Sequence, residues 1–305
     1  MSKSYTTSNI ILLYISTVLI WGSSWLAIHY QVNSNVEPIW STIYRFFPSG
    51  ILLLIYSYKK AKIIRLSVQQ HLLLALQGLF LFCLNFIFSY YATMLLVSGI
   101  IPVISSTIVL MNIFNGKVFL KRPVVLSHVI GAIIGIIGAV IIFKNSAIID
   151  FTDEFEHKFL LIGLFFALIA TYCSSVGQMV CVYNENTQKI PIEQTTALSM
   201  LYGAVISLII AYLLNIRPSF DTSLMYISSL LYLTLLASII GFSSYLYLLV
   251  KIGPEKTSYM FVVFPVIALL LSSIFEQFVW NKYIFIGLFF IILGNIFISL
   301  SPKTS

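Results

Sequence analysis

Charge is what this 305-residue chain has least of: 9% of its residues are Asp, Glu, Lys or Arg, while 59% are hydrophobic. A soluble domain carries about 25% charged residues. Mean hydropathy is +1.00. That balance excludes a soluble core, makes lipid the solvent, and makes spans the unit of organisation. Acidic residues are the scarcest, 10 against 17 basic, for a formal charge of +7. The basic residues sit in short connections between apolar runs and not on one face of a domain. They therefore read as topology signals, and nucleic acid is excluded as a partner. Cys83, Cys173 and Cys181 all fall inside apolar runs without metal-ligand spacing, as small buried hydrophobes do. There is no phosphate-cradling P-loop, hence no ATP-driven chemistry within the chain, and no His-Glu-x-x-His. His29, His71, His128 and His157 lie near span ends with no shared spacing, so neither metal nor cofactor is expected. No convincing Ala-x-Ala site follows the first apolar run, which reads as an uncleaved span.

Apolar runs are what the chain has in abundance. Stretches of about 20 residues place ten spans at roughly 9–29, 38–58, 71–91, 94–114, 125–143, 158–182, 194–214, 224–249, 258–279 and 283–300. With the N-terminus in the cytoplasm, twelve Lys and Arg fall in inside segments, among them Lys59, Lys117 and Lys251. Four fall outside: Lys144, Lys158, Arg217 and Lys282. This bias predicts an even span count with both termini cytoplasmic.

The chain also repeats itself. Ile130–Phe143 reads IGAIIGIIGAVIIF and Ile286–Ser299 reads IGLFFIILGNIFIS, with paired glycines at Gly131/Gly138 and Gly287/Gly294. Pro-Val-Ile precedes each, at Pro102 and at Pro265. Five spans per half is an odd number, so the second half must enter the membrane with opposite polarity. The expected fold is an all-α membrane protein of ten transmembrane helices, arranged as two inverted five-helix repeats over 1–143 and 158–300.

Several motifs stand in order along the whole chain. They are Trp21-Gly22-Ser23-Ser24, Arg45-Phe46, Asn85-Phe86, Tyr90-Tyr91-Ala92 and Ser98-Gly99 in the first half. The second half has Gly241-Phe242-Ser243-Ser244-Tyr245, Ile252-Gly253-Pro254, Tyr259, Phe264-Pro265-Val266 and Phe275-Glu276. With them the chain resembles the drug/metabolite transporter superfamily, specifically bacterial EamA-type ten-span permeases. One departure is at the end of the fourth span. Many relatives have Gly-Glu there, and this chain reads Asn115-Gly116-Lys117 onward to Arg122 with no acid. The resemblance implies a carrier in the bacterial inner (plasma) membrane, with a small-molecule metabolite and the bilayer as partners and protons as a coupling ion. The protein would be a monomer or a homodimer.

Intramembrane polar residues are the candidates for substrate contact. Arg45 costs roughly 2.5–3.5 kcal/mol in hydrocarbon, so it must face protein or water. It could anchor a carboxylate or phosphate, or be a structural tie. Glu276 could pair with Arg45 at similar depth, or take up protons. Trp21 with Ser24, and Tyr172 with Ser175, set an aromatic and a hydroxyl at i and i+3 at corresponding places in the first and sixth spans. Both sets suit a cavity wall or helix packing. Asn85 and Gln178 are amides deep in spans. Tyr91, Tyr245 and Tyr259 add hydroxyls, with an interfacial belt as the alternative. Pro102 and Pro265 are candidate hinges.

The leading expectation is a secondary active exporter of amino acids or related compounds and drugs, working by alternating access. An importer of host metabolites, nucleoside- or S-adenosylmethionine-like, is the alternative. A channel lacks the expected charge rings or filter loop, and an intramembrane enzyme lacks a base opposite Ser243.

Overall fold

In hydrocarbon a backbone N–H or C=O can bond only to protein, and a helix satisfies both internally. The computed structural model describes residues 7–60, 63–121, 123–144, 154–257 and 260–299, and all regular structure in them is helical. Ten helices follow: α1 (Thr7–Val32), α2 (Pro38–Lys59), α3 (Val68–Leu95), α4 (Ile101–Leu120), α5 (Leu126–Lys144), α6 (Glu154–Gln188), α7 (Ile192–Leu213), α8 (Leu224–Thr257), α9 (Met260–Phe275) and α10 (Lys282–Ser299). Seven are long and apolar enough to cross a membrane; α5, α9 and α10 contain shorter apolar stretches. Large apolar side chains such as Leu12, Leu52, Ile209 and Phe289 face outward, as lipid requires.

The two halves build their elements alike. Ser67 caps α3 by accepting from the Gln70 N–H, and Ser223 caps α8 by accepting from the Tyr226 N–H, each at 3.3 Å. Both helices then pass through a π-helical stretch, Gly78–Leu84 in α3 and Tyr232–Phe242 in α8. Such stretches make up under about 1% of residues in proteins and gather at functional sites. A left-handed residue follows both α4 and α9, Lys121 at φ 53 directly after the one and Gln277 at φ 57 two residues past the other. This register sets Leu120 opposite Glu276, so the first half carries leucine where the second carries its carboxylate.

Packing follows the same exchange. Helix α1 lies on α8 and α9, as α6 lies on α3 and α4; α3 packs on α7 as α8 packs on α2; α2 meets α7, and α5 meets α10. The repeat glycines face each other across the last pair. A Cβ on Gly294 would fall 2.7 Å from the Gly135 nitrogen and against the Gly131 carbonyl; one on Gly138 would fall 2.9 Å from Phe290 Cβ and against the Gly287 carbonyl. The first glycine of each helix thus meets the second of the other, which makes α5 and α10 antiparallel. The repeat is inverted.

The mirrored prolines differ. Pro102 sits in the first turn of Ile101–Ser105, and α4 breaks before resuming at Ile108. Ser106 and Thr107 hydroxyls donate back to the Val103 and Ile104 carbonyls at 2.6 and 2.7 Å, competing with the helix. Helix α9 continues through Pro265 unbroken.

Replacing Gly138 with valine should lower stability by about 1–3 kcal/mol through overpacking. Gly135→Ala, whose Cβ meets nothing within 4 Å, should be neutral or slightly stabilising. Reversible unfolding of the purified variants in detergent micelles tests the contrast.

Candidate functional site

A partly open cavity, with about 660 Å³ of space including its open mouth, lies between the halves. The first half contributes Trp21, Ser24, Trp25 and Ile28 from α1, Arg45 from α2, Leu81, Asn85, Phe86 and Ser89 from α3, and Ser105 and Ile108 from α4. The second contributes Thr171, Ser174 and Gln178 from α6, Phe242 and Tyr245 from α8, and Phe261 and Phe264 from α9. Phe86 stands just past one π stretch and Phe242 closes the other, and their ring centroids stand 5.9 Å apart.

The floor is aromatic. Trp21 packs on Tyr245 at 4.7 Å, on Phe242 at 4.9 Å and on Phe264 at 6.4 Å. Its Nε1 donates to the Ala237 carbonyl at 3.1 Å. That carbonyl lies in the π stretch of α8. Gly241 makes room for the ring: a Cβ there would be 3.0 Å from Trp21 Cδ1.

Arg45 is 2% exposed. Its Nε donates to Ser238 Oγ at 2.8 Å, in the same π stretch. The guanidinium lies 4.5 Å from the Phe86 ring centroid and 4.9 Å from that of Phe46. Arg45 Nη1 is buried with no hydrogen-bond partner among the described residues. An uncompensated buried donor on a charged group is costly, and the buried Tyr90 hydroxyl beside the guanidinium is likewise unpaired, so the two together are poised for a polar group from outside the protein.

Behind Gln178 in the cavity lining runs a ladder of amides and hydroxyls between α4 and α6. Asn112 Nδ2 donates to Gln178 Oε1 at 3.1 Å, Ser175 Oγ donates to Asn112 Oδ1 at 2.6 Å, and Asn115 Nδ2 donates to Ser175 Oγ at 2.9 Å. The ladder fixes Gln178, whose Nε2 donates to Ser174 Oγ at 3.3 Å. Asn85 Nδ2 donates to the Leu81 carbonyl at 3.2 Å.

The structure thus brings Trp21, Ser24, Arg45, Asn85, Gln178 and Tyr245 to one cavity and leaves three candidates elsewhere. Tyr172 belongs to the outward stripe Leu161, Phe165, Leu168, Tyr172, the lipid-facing side of α6, and is 43% exposed. Its partner in the pattern, Ser175, is in the ladder. Tyr91 packs against Phe166 at 5.8 Å, between α3 and α6. Glu276 does not pair with Arg45. It accepts from the Ser98 N–H at 3.1 Å, from the Ser98 hydroxyl and from Ser272 Oγ at 2.7 Å. His29 Nδ1 stands 3.2 Å away. Four groups from α1, α9 and the lead into α4 thus hold this carboxylate. Pro102 and Pro265 do not line the cavity either, and Tyr259 lies outside the described residues. Among the described residues no group of three His, Cys, Asp or Glu is placed to hold a metal.

The sequence reading missed Phe86, Phe242, Phe261 and Phe264 as cavity residues. In a chain with 24 phenylalanines, composition does not separate a ring facing a cavity from one facing lipid. The matched places of Phe86 and Phe242 in the third helix of each half were the available signal.

The EamA-like transporter family model matches residues 8–144 and again 161–300. A protein of Buchnera aphidicola subsp. Schlechtendalia chinensis, described as an uncharacterized transporter, is 26% identical over 299 residues, spanning 96% of this chain and 93% of that one. The PagO protein of Salmonella typhimurium is 25% identical over 268 residues, spanning 87% and 84%. A solved crystal structure overlays with a TM-score of 0.70 at 18% identity, covering 97% of this chain and 98% of the other, and so shares the fold. The family model and the description of the Buchnera relative point to transport.

A double-mutant cycle between His29→Ala and Glu276→Ala should return a coupling of about 0.5–3 kcal/mol in unfolding free energy. The cycle between Arg45 and Glu276 should be additive to within about 0.5 kcal/mol. A strong coupling in the second cycle would contradict the placement described.

Proposed function

The chain belongs to the EamA-like transporter family, and on that premise we propose a secondary active carrier that exports small metabolites. Amino acids and related compounds, drugs included, are its cargo. The protein is a multi-pass membrane transporter with apolar helices fit for a bilayer. In the proposed reading it sits in a bacterial inner membrane with both termini in the cytoplasm. The halves 1–143 and 158–300 rock against each other about the cavity, driven by a proton or substrate gradient.

One observation carries this reading: the cavity is walled from both inverted halves and contains a buried, incompletely partnered arginine. A site shared between inverted repeats is exposed to alternate sides when one half rotates on the other. Trp21 and Arg45, from the first half, are both fastened to the π stretch of α8, in the second. Movement of that stretch would therefore move both wall residues with it.

Cells with and without the protein, loaded with a labelled metabolite panel, test direction; faster efflux is expected, and faster uptake would assign import. In liposomes, saturable counterflow is expected, and flux without saturation would overturn the carrier reading. Trp21→Ala should lower counterflow at least several-fold, because removing a stacked aromatic forfeits about 1 kcal/mol or more of contact.

A further inference from the structure

Among the described residues the walls of the cavity carry charge of one sign only: Arg45 lines it, and no Asp or Glu does. The carboxylate that could have balanced a bound cation, Glu276, is turned to Ser98, Ser272 and His29 and does not reach the lining. The Phe46 and Phe86 rings already carry the Arg45 guanidinium at 4.9 and 4.5 Å. They are therefore occupied as cation acceptors. Gln178 Oε1 already accepts from Asn112. A ligand ammonium entering beside Arg45 would meet like charge in a low-dielectric space with no counter-charge on the wall.

An anion meets the opposite. Arg45 is 2% exposed, its Nε is fixed on Ser238, and its buried Nη1 has no hydrogen-bond partner among the described residues. A carboxylate there gains charge-assisted hydrogen bonds, and the cost of leaving that donor unpaired is removed. Across the space the tilted rings of Trp21, Phe242, Tyr245 and Phe264 offer an apolar surface of aromatic size. We infer that the cavity selects small net anions with a flat apolar body, carboxylates without a free ammonium, over the matching zwitterions and cations. This rests on the cavity being the substrate site and narrows the cargo from amino acids to their deaminated relatives.

Three indole compounds that differ in charge test it: indole-3-propionate (anion), tryptophan (zwitterion) and tryptamine (cation). Equilibrium dialysis against the purified full chain in detergent should show indole-3-propionate binding at least about tenfold tighter than either amine. Arg45→Gln should weaken that binding roughly 10- to 100-fold, and Arg45→Lys should restore part of it. Circular dichroism and gel filtration of each variant establish that it is folded; if Arg45→Gln does not fold, the charge series on the unaltered protein decides alone. Equal or tighter binding of tryptophan or tryptamine overturns the inference, as does no binding of any of the three. Binding of the acid without counterflow in liposomes supports the charge selectivity and overturns the carrier reading, so the two can fail separately.

Discussion

A polar side chain in hydrocarbon has no water to turn to, and that constraint places the helices. Gln31 reaches from α1 to the Tyr226 carbonyl at 2.9 Å and Ser229 Oγ at 2.6 Å on α8. Asn184 on α6 donates to Gln77 on α3 at 3.0 Å. Arg45 ties α2 to α8, the Asn112 ladder ties α4 to α6, and Glu276 gathers α1, α9 and the lead into α4. Lipid tails are as apolar as leucine, so burial of hydrophobic surface does little to choose between helix neighbours. These bonds, with the close glycine contacts, supply the choice.

Symmetry sets the frame and its violations set the chemistry. The glycine contacts of α5 and α10, the paired π stretches and the left-handed residues after α4 and α9 obey the exchange of halves. The charged groups do not. Counted from the first residue of each helix, Arg45 in α2 is matched by Ser199 in α7; counted back from the left-handed residues Lys121 and Gln277, Glu276 is matched by Leu120. A cavity between two equal halves would be symmetric; this one is lined by Arg45 from the first half and by Gln178, the end of the amide ladder, from the second.

The π stretches connect frame and chemistry. A wider turn frees carbonyls that an α-helix would use, and the Ala237 carbonyl holds the Trp21 indole. In α3 the matching stretch ends at Leu84, just before Asn85 and Phe86 enter the wall. Nothing in the apolar residues Tyr232–Phe242 marks this turn as wider than its neighbours, because π and α turns need the same hydrophobic surroundings.

The sequence by itself determined the class, the ten helices and the inversion. Apolar run length reflects membrane thickness, and an odd number of spans per repeat leaves no other polarity. It also singled out Arg45, Asn85 and Gln178, since a polar residue in lipid must turn inward. Tertiary structure alone decided which way each helix turns about its axis. Tyr172 and Ser175 share a spacing with Trp21 and Ser24, yet one faces lipid and the other the ladder. Lipid and protein interior are equally apolar, so hydrophobic periodicity does not fix that rotation. Depth alone likewise could not assign Glu276 its partners. It was rotation about α9 that gave the carboxylate to His29, Ser98 and Ser272 and left Arg45 facing the cavity without a counter-charge.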